Sequence, residues 1–236
     1  MSLLDRHLRM SSNKRIIFIG WSSSHVDNVS AGTSPMVVVP PAGMKAGDLV
    51  YCSGYCASGS LTTWNISVTG GQSWAWTIDR NSALPSVITA YCVFNGIWTA
   101  NPQFTASAGG VAKAVQMLVF RPAYSGGSWA TDQQSGIALT GGVSGVTYYI
   151  TGITNTHNRL VTIARGIGTT AGATYVSHTP SSFGWVPAHF RNLSSNNKNA
   201  MYFFQFQPIG GYTGDIIVTM PSVLSVYNSM HSFYYT

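Results

Sequence analysis

Lys45 and Asp48 stand three residues apart in a turn framed by Gly43 and Gly47, inside the stretch 40–56, PPAGMKAGDLVYCSGYC. A basic and an acidic side chain held that way form the first candidate site in the chain. A structural reading competes with it. Pro40-Pro41 and two glycines reverse the chain, Asp48 caps the turn, and the bulky run from Leu49 enters a core. Other groups give less. There is no glutamate, so a glycosidase-type carboxylate pair would have to come from six scattered aspartates. Asp132 and Asp215 fall in polar stretches. A nucleophile elbow of the G-x-S-x-G type is absent, and His25-Val26-Asp27 reads as an exposed loop pair. His178 and His189 would meet across a hairpin near Trp185, where a pair of hydrogen-bonded histidines is favoured over a metal site. Cys52, Cys56 and Cys92 are odd in number. Cys52 and Cys56, on one face of a strand, would lie roughly 13 Å apart, too far to bridge. They read as small buried hydrophobes. The sequence thus predicts no catalytic residue, metal or cofactor.

Aromatic side chains are the better candidates for contact with a partner. The chain holds seven Trp and twelve Tyr, most of them core material for a sandwich. Trp21, where the first expected strand runs into the polar loop 22–34, and Tyr124, Trp129 and Tyr212, in stretches that read as loops, are the candidates. Exposed there, they would stack on sugar rings or fill pockets between subunits.

Charge is sparse and uneven. Only 8% of residues are charged, against about 25% in an average soluble domain, and weak charge removes one barrier to self-association. Of twelve basic residues, Arg6, Arg9, Lys14 and Arg15 crowd into the first fifteen positions opposite Asp5 alone. Residues 1–15 therefore read as a basic arm on a neutral body, with Leu3, Leu4 and Leu8 as its apolar side. Four charges make a small footprint for nucleic acid, which is not an expected partner. No apolar run approaches the ~20 residues of a membrane helix, and the start lacks the features of a secretory leader. The expectation is a protein made in a cytosol.

The elements that would position these residues are strands. Apolar alternation, Gly-Gly turns and the lack of any 3.6-residue period predict an all-β chain. The run 16–21 reads as a first strand, 22–34 as a polar loop, and 87–94, apolar on both faces, as a central strand. The Gly- and Ser-rich stretch 123–145 reads as a connection between two halves, 16–122 and 146–236. Those halves align loosely: Asp48-Leu49-Val50 with Arg159-Leu160-Val161, an offset of 111, and Trp76 with Trp185, an offset of 109. The expected fold is a jelly-roll-like antiparallel β-sandwich in one domain, 16–236, behind the arm; two tandem sandwiches are the alternative.

The segment Pro41-Ala42-Gly43-Met44-Lys45-Ala46-Gly47-Asp48-Leu49-Val50 resembles the P-A-G-V-x-A-G-D-L-L turn and strand of β-sandwich domains in tailed-bacteriophage structural proteins. The strands 87–94, 104–106 and 115–120 follow in the order found there, while the usual Pro-Pro-Gly-Trp segment is reduced to Gly70-Gly71-Gln72-Ser73-Trp74. The resemblance implies a virion protein assembled in the host cytoplasm and carries no catalytic residues across. The leading expectation is a head decoration or cement protein. It would self-associate, most simply as a trimer, and dock its arm on the major capsid protein through Arg6, Arg9, Lys14 and Arg15 over Leu3, Leu4 and Leu8. The alternative is a tail-fibre or receptor-binding module that recognises host surface glycan.

Overall fold

The computed structural model describes residues 16–26, 35–56, 62–67, 70–80, 86–108, 113–168, 174–178, 184–193 and 198–236. The arm, with its docking side chains Leu3, Leu4, Arg6, Leu8, Arg9, Lys14 and Arg15, lies outside them. The described residues form antiparallel strands and no helix. The first half supplies β1 (Ile16–Val26), β2 (Met36–Val37), β3 (Leu49–Cys56), β4 (Trp64–Ile66), β5 (Ala75–Arg80), β6 (Ser86–Val93), β7 (Gln103–Ala106) and β8 (Lys113–Pro122). The second supplies β9 (Trp129–Ile150), β10 (Thr154–Asn155), β11 (Leu160–Gly168), β12 (Thr174–His178), β13 (Val186–Leu193), β14 (Lys198–Gln207), β15 (Gly211–Tyr212) and β16 (Ile216–Tyr235).

Two large sheets form the centre, one with order β1-β8-β3-β6-β5 and the other with β9-β16-β11-β14-β13. They pack face to face. Leu49, Tyr51, Leu118 and Phe120 from the first meet Val161, Ile163, Phe204 and Phe233 from the second. Successive strand residues point to opposite faces, so the alternate set, Val50, Cys52, Ile88, Ala90, Val115 and Met117, faces away. There it is covered by the small sheet β2-β7-β4 through Met36, Trp64 and Phe104. This double cover explains why all eight residues of β3 are buried. It also explains the apolar runs that lack alternation, as expected for central strands. The expected sandwich is therefore present, with a further layer on the outer face of each large sheet.

The outer layer of the second half is made by the long strands themselves. Ile216 and Met230 lie on one strand yet share one core cluster with Ile150, Ala164 and Phe203. Fourteen residues of straight strand would separate them by roughly 46 Å, so β16 must fold back. It pairs with β12 over Ile216–Thr219 and with β11 over Val226–Tyr234. The change of sheet falls between these spans, beside a register shift at Val223/Ser225. β9 accompanies it along its whole length. Corners of this kind, with strands switching sheets at bulges, are how a sandwich closes. The stretch 129–145, read from its Gly and Ser content as a connection, is thus strand. Pairing to β16 outweighs the poor intrinsic preference of those residues. In the same way the serines 22–24, read as loop, continue β1 against β8.

The two halves repeat one plan, at a register the sequence alignment misplaces by one residue at Leu49 and by two at Trp76. Leu49 faces the opposite large sheet with Tyr51; Val161 and Ile163 face it from the other side, which turns Leu160 outward. A one-residue slip exchanges the faces of a strand, so the counterpart of Leu49 is Val161 rather than Leu160. The pairing agrees. Leu49 sits opposite Phe120 and Val93, and Val161 opposite Phe233 and Phe206. Trp76 is 46% exposed whereas Trp185 is 5% exposed. The match for Trp185 is Trp74, because Ala75 and Val186, which follow them, pair with the equivalent residues Tyr91 and Phe204.

Candidate functional site

The turn before β3 uses its polar groups on itself. Gly43 and Gly47 take φ of 83° and 90°, the left-handed region that favours glycine. The Asp48 carboxylate, 1% exposed, accepts the Lys45 backbone N–H at 2.8 Å and two Arg121 N–H groups at 2.7 Å. Arg121 also donates to the Gly43 carbonyl at 2.6 Å. Its guanidinium pKa is raised, chiefly by the bond to Asp48. Lys45 contributes its backbone, and its side chain is exposed. The turn is a locked corner that delivers β3 to the core.

Two further aspartates, Asp215 and Asp132, do similar work. Asp215 accepts the Gly152 N–H at 2.7 Å and the Tyr212 hydroxyl; that bond first, and burial second, raise the Tyr212 pKa. Asp132 accepts four hydrogen bonds: the backbone N–H groups of Thr156 (2.8 Å) and His157 (3.2 Å), the Thr156 hydroxyl (2.6 Å) and His157 Nδ1 (2.7 Å). Burial alone would raise its pKa, but these bonds outweigh it and hold the carboxyl below its ordinary value. The His157 ring stacks on Tyr234 with centroids 3.9 Å apart.

Sequence reasoning missed Arg165, which is fully buried between the two large sheets. It donates to Ser229 at 2.5 Å in its own half, and to the Ser53 hydroxyl and the Ile88 carbonyl (3.0 Å) in the other. Its guanidinium lies 5.3 Å from the Tyr227 ring centroid. The available signal was parity: Arg165 shares a face with Val161 and Ile163, so the alternation aims a cation inward. The cysteines are buried as expected. Burial pushes the Cys52 and Cys92 thiols well up.

Along one side of the sheet-to-sheet contact the surface opens into a cleft between β5-β6 and β9-β16. Its deeper part has a volume of about 330 Å³ and is walled by Thr77, Tyr91, Thr131, Asp132, Gln133 and Gln134 over His231, with Trp76 at the rim. A second part of about 230 Å³ continues past Trp129 and shares Ala75, Tyr91 and Phe233 with the first. The wall carries aromatic rings, amides and hydroxyls, and among the described residues no lysine or arginine; the Asp132 carboxylate is turned out of it toward Thr156 and His157.

Of the four aromatics picked from the sequence, only Trp129 lines this cleft. Its Nε1 donates to the Gly47 carbonyl at 3.0 Å, and its ring packs on Tyr235. Tyr124 is held against Tyr235 and Arg159. Trp21, 44% exposed, belongs to strand β1 rather than a loop, and Tyr212, 50% exposed, to β15. The four do not form one surface. Trp76, Gln133 and Gln134 escaped notice because nothing local shows that β5 and β9 are neighbours. His178 and His189 do not face each other across a hairpin: β12 pairs with β16 and β13 with β14, and both side chains lie outside the described residues, as does Asp27. Among the described residues no group of three or more His, Cys, Asp or Glu could hold a metal ion, and no helix is long and apolar enough to cross a membrane. Comparison with protein-family models, curated proteins and solved structures gave no match.

Proposed function

We propose that this chain is a non-enzymatic structural protein of a tailed-bacteriophage virion, bound to the outside of the head as a decoration or cement protein. One observation carries the reading. The segment 41–50, through which the chain resembles phage β-sandwich domains, is a corner that spends Asp48 and Arg121 on holding β3 in place, so it serves architecture rather than chemistry. The strand order supports it further. In the first half strands one, eight, three and six adjoin in the large sheet, and two, seven and four in the small one. We read that order as a jelly roll, a fold common in capsid proteins. In this reading the low-charge body forms a homo-oligomer, a trimer on a local threefold. The basic arm docks on the major capsid protein through Arg6, Arg9, Lys14 and Arg15, with Leu3, Leu4 and Leu8 packed beneath. Neither membrane nor nucleic acid is a partner. Deleting residues 1–15 is expected to abolish capsid binding in a co-sedimentation assay while the body keeps its melting temperature; undiminished binding by the truncated protein would contradict the docking mechanism.

A second reading, a tail-fibre or receptor-binding module for host surface glycan, is favoured by the cleft. Rings beside amides and hydroxyls are what sugar recognition needs.

A further inference from the structure

The cleft has a counterpart, and in the counterpart it is filled. On β1, Phe18 pairs with Phe120, which pairs with Leu49; after a one-residue bulge Trp21 pairs with Leu118, which pairs with Tyr51. On β9, Thr131 pairs with Phe233, which pairs with Val161; after a one-residue bulge Gln134 pairs with His231, which pairs with Ile163. Register and bulge therefore place Thr131 where the other half has Phe18, and Gln134 where it has Trp21. Phe18 reaches across to the opposite sheet and packs on Phe204 with centroids 4.5 Å apart. The residue equivalent to Phe204 is Tyr91, opposite Tyr51 as Phe204 is opposite Ile163. Tyr91 has Thr131 across from it, and the space a phenylalanine would occupy is the cleft.

We propose that this space is a binding subsite for a neutral sugar. The proposal rests on the glycan reading above and names the class of glycan. Tyr91, which lines both parts of the cleft, and Trp129, which lines the smaller part, are rings of the kind that pack on the C–H side of a pyranose. Gln133, Gln134 and Thr131 offer the paired donors and acceptors that hydroxyl groups require. The volume of about 330 Å³ reaches the lower end of small-ligand sites, ~300–1,000 Å³. Charge sets the class. The one acid in the wall, Asp132, turns its carboxylate away to Thr156 and His157, and no lysine or arginine is among the described lining residues. A sialylated or phosphorylated glycan would have to shed water from its charge with no cation among these residues to receive it.

The test uses the full chain on an array carrying oligosaccharides with terminal glucose, galactose or N-acetylglucosamine beside sialylated and phosphorylated ones. Binding is expected to neutral glycans alone. Thr131→Phe, which copies the filled half, is expected to weaken it at least about tenfold with the melting temperature unchanged or raised. Gln134→Ala, with no volume to accommodate, should weaken it severalfold and serves if the first variant does not fold. Binding that survives both changes would overturn the cleft and leave glycan recognition standing. Silence toward every neutral glycan, or preference for the anionic ones, would overturn the inference, and silence to all would take the glycan reading with it.

Discussion

Asp132 is the residue on which the wall of the cleft turns. The bulge in β9, between Thr131 and Gln134, breaks the alternation there and aims its carboxylate at the turn 156–157. The result ties the first strand of the second half to the turn before β11. Its folded pKa is depressed, so the stabilisation is complete above the unfolded value near 4 and is lost as pH falls through the folded one. Asp132→Asn should therefore lower stability at pH 6 by about 2 kcal/mol, the scale of hydrogen bonds to a charged group. The gap from wild type should close below about pH 4 in thermal melts. A gap that persists at pH 2 would contradict this role. In the sequence Asp132 was visible only as an acid in a polar stretch. Its two partner residues, Thr156 and His157, lie 24 and 25 positions away, and single-residue chemistry does not reveal them. Asp48 was legible because its turn is local: two glycines, a lysine and a capping acid within six residues. Arg121, seventy-three positions on, was not.

At the scale of elements, β3 is the strand around which the first half is built, and its glycine has a reason to be there. A Cβ on Gly54 would stand 2.8 Å from Ile88 Cγ2 and 3.1 Å from both the Trp64 ring and Val115. Ile88 and Val115 are on the two neighbouring strands and Trp64 on the covering sheet, so none has an open side to move toward. Gly54→Ala should cost about 2 kcal/mol, the usual range for overpacking a tight core, measured by denaturant unfolding. A neutral or stabilising result would mean that the small sheet is not firmly seated on β3. The element scale is also where sequence reading was strongest and then stopped. The runs 49–56, 87–94 and 113–121 are strands close to where alternation and turns put them. The error at 123–145 has a physical cause. Gly and Ser weaken intrinsic strand preference, but β9 is held by a partner of equal length, and a partner half a chain away leaves no local mark. The same holds for parity. Patterns fix which residues alternate, but not which face meets which sheet, so an offset of 111 looked as good as one that keeps the faces.

For the whole molecule, the consequence of two halves with one strand plan is that each large sheet covers the other. The common face is apolar at one end, around Phe120, Phe204 and Phe233, and polar where Arg165 reaches Ser53 and Ile88 across the boundary. The halves are thereby joined across their contact, with one edge of it filled by Phe18 and Trp21 and the other open. All-β character, buried cysteines and low surface charge were legible in composition. The layer count, the inward arginine and the cleft were not, because each depends on how the two halves meet. The proposed place of this body is the surface of a phage particle. Immunogold labelling of purified virions with antibody to this chain tests that most directly. Gold is expected over the heads of intact particles, and antibody should also detect the chain in particles after density-gradient purification. Particles free of both label and chain would contradict the virion assignment.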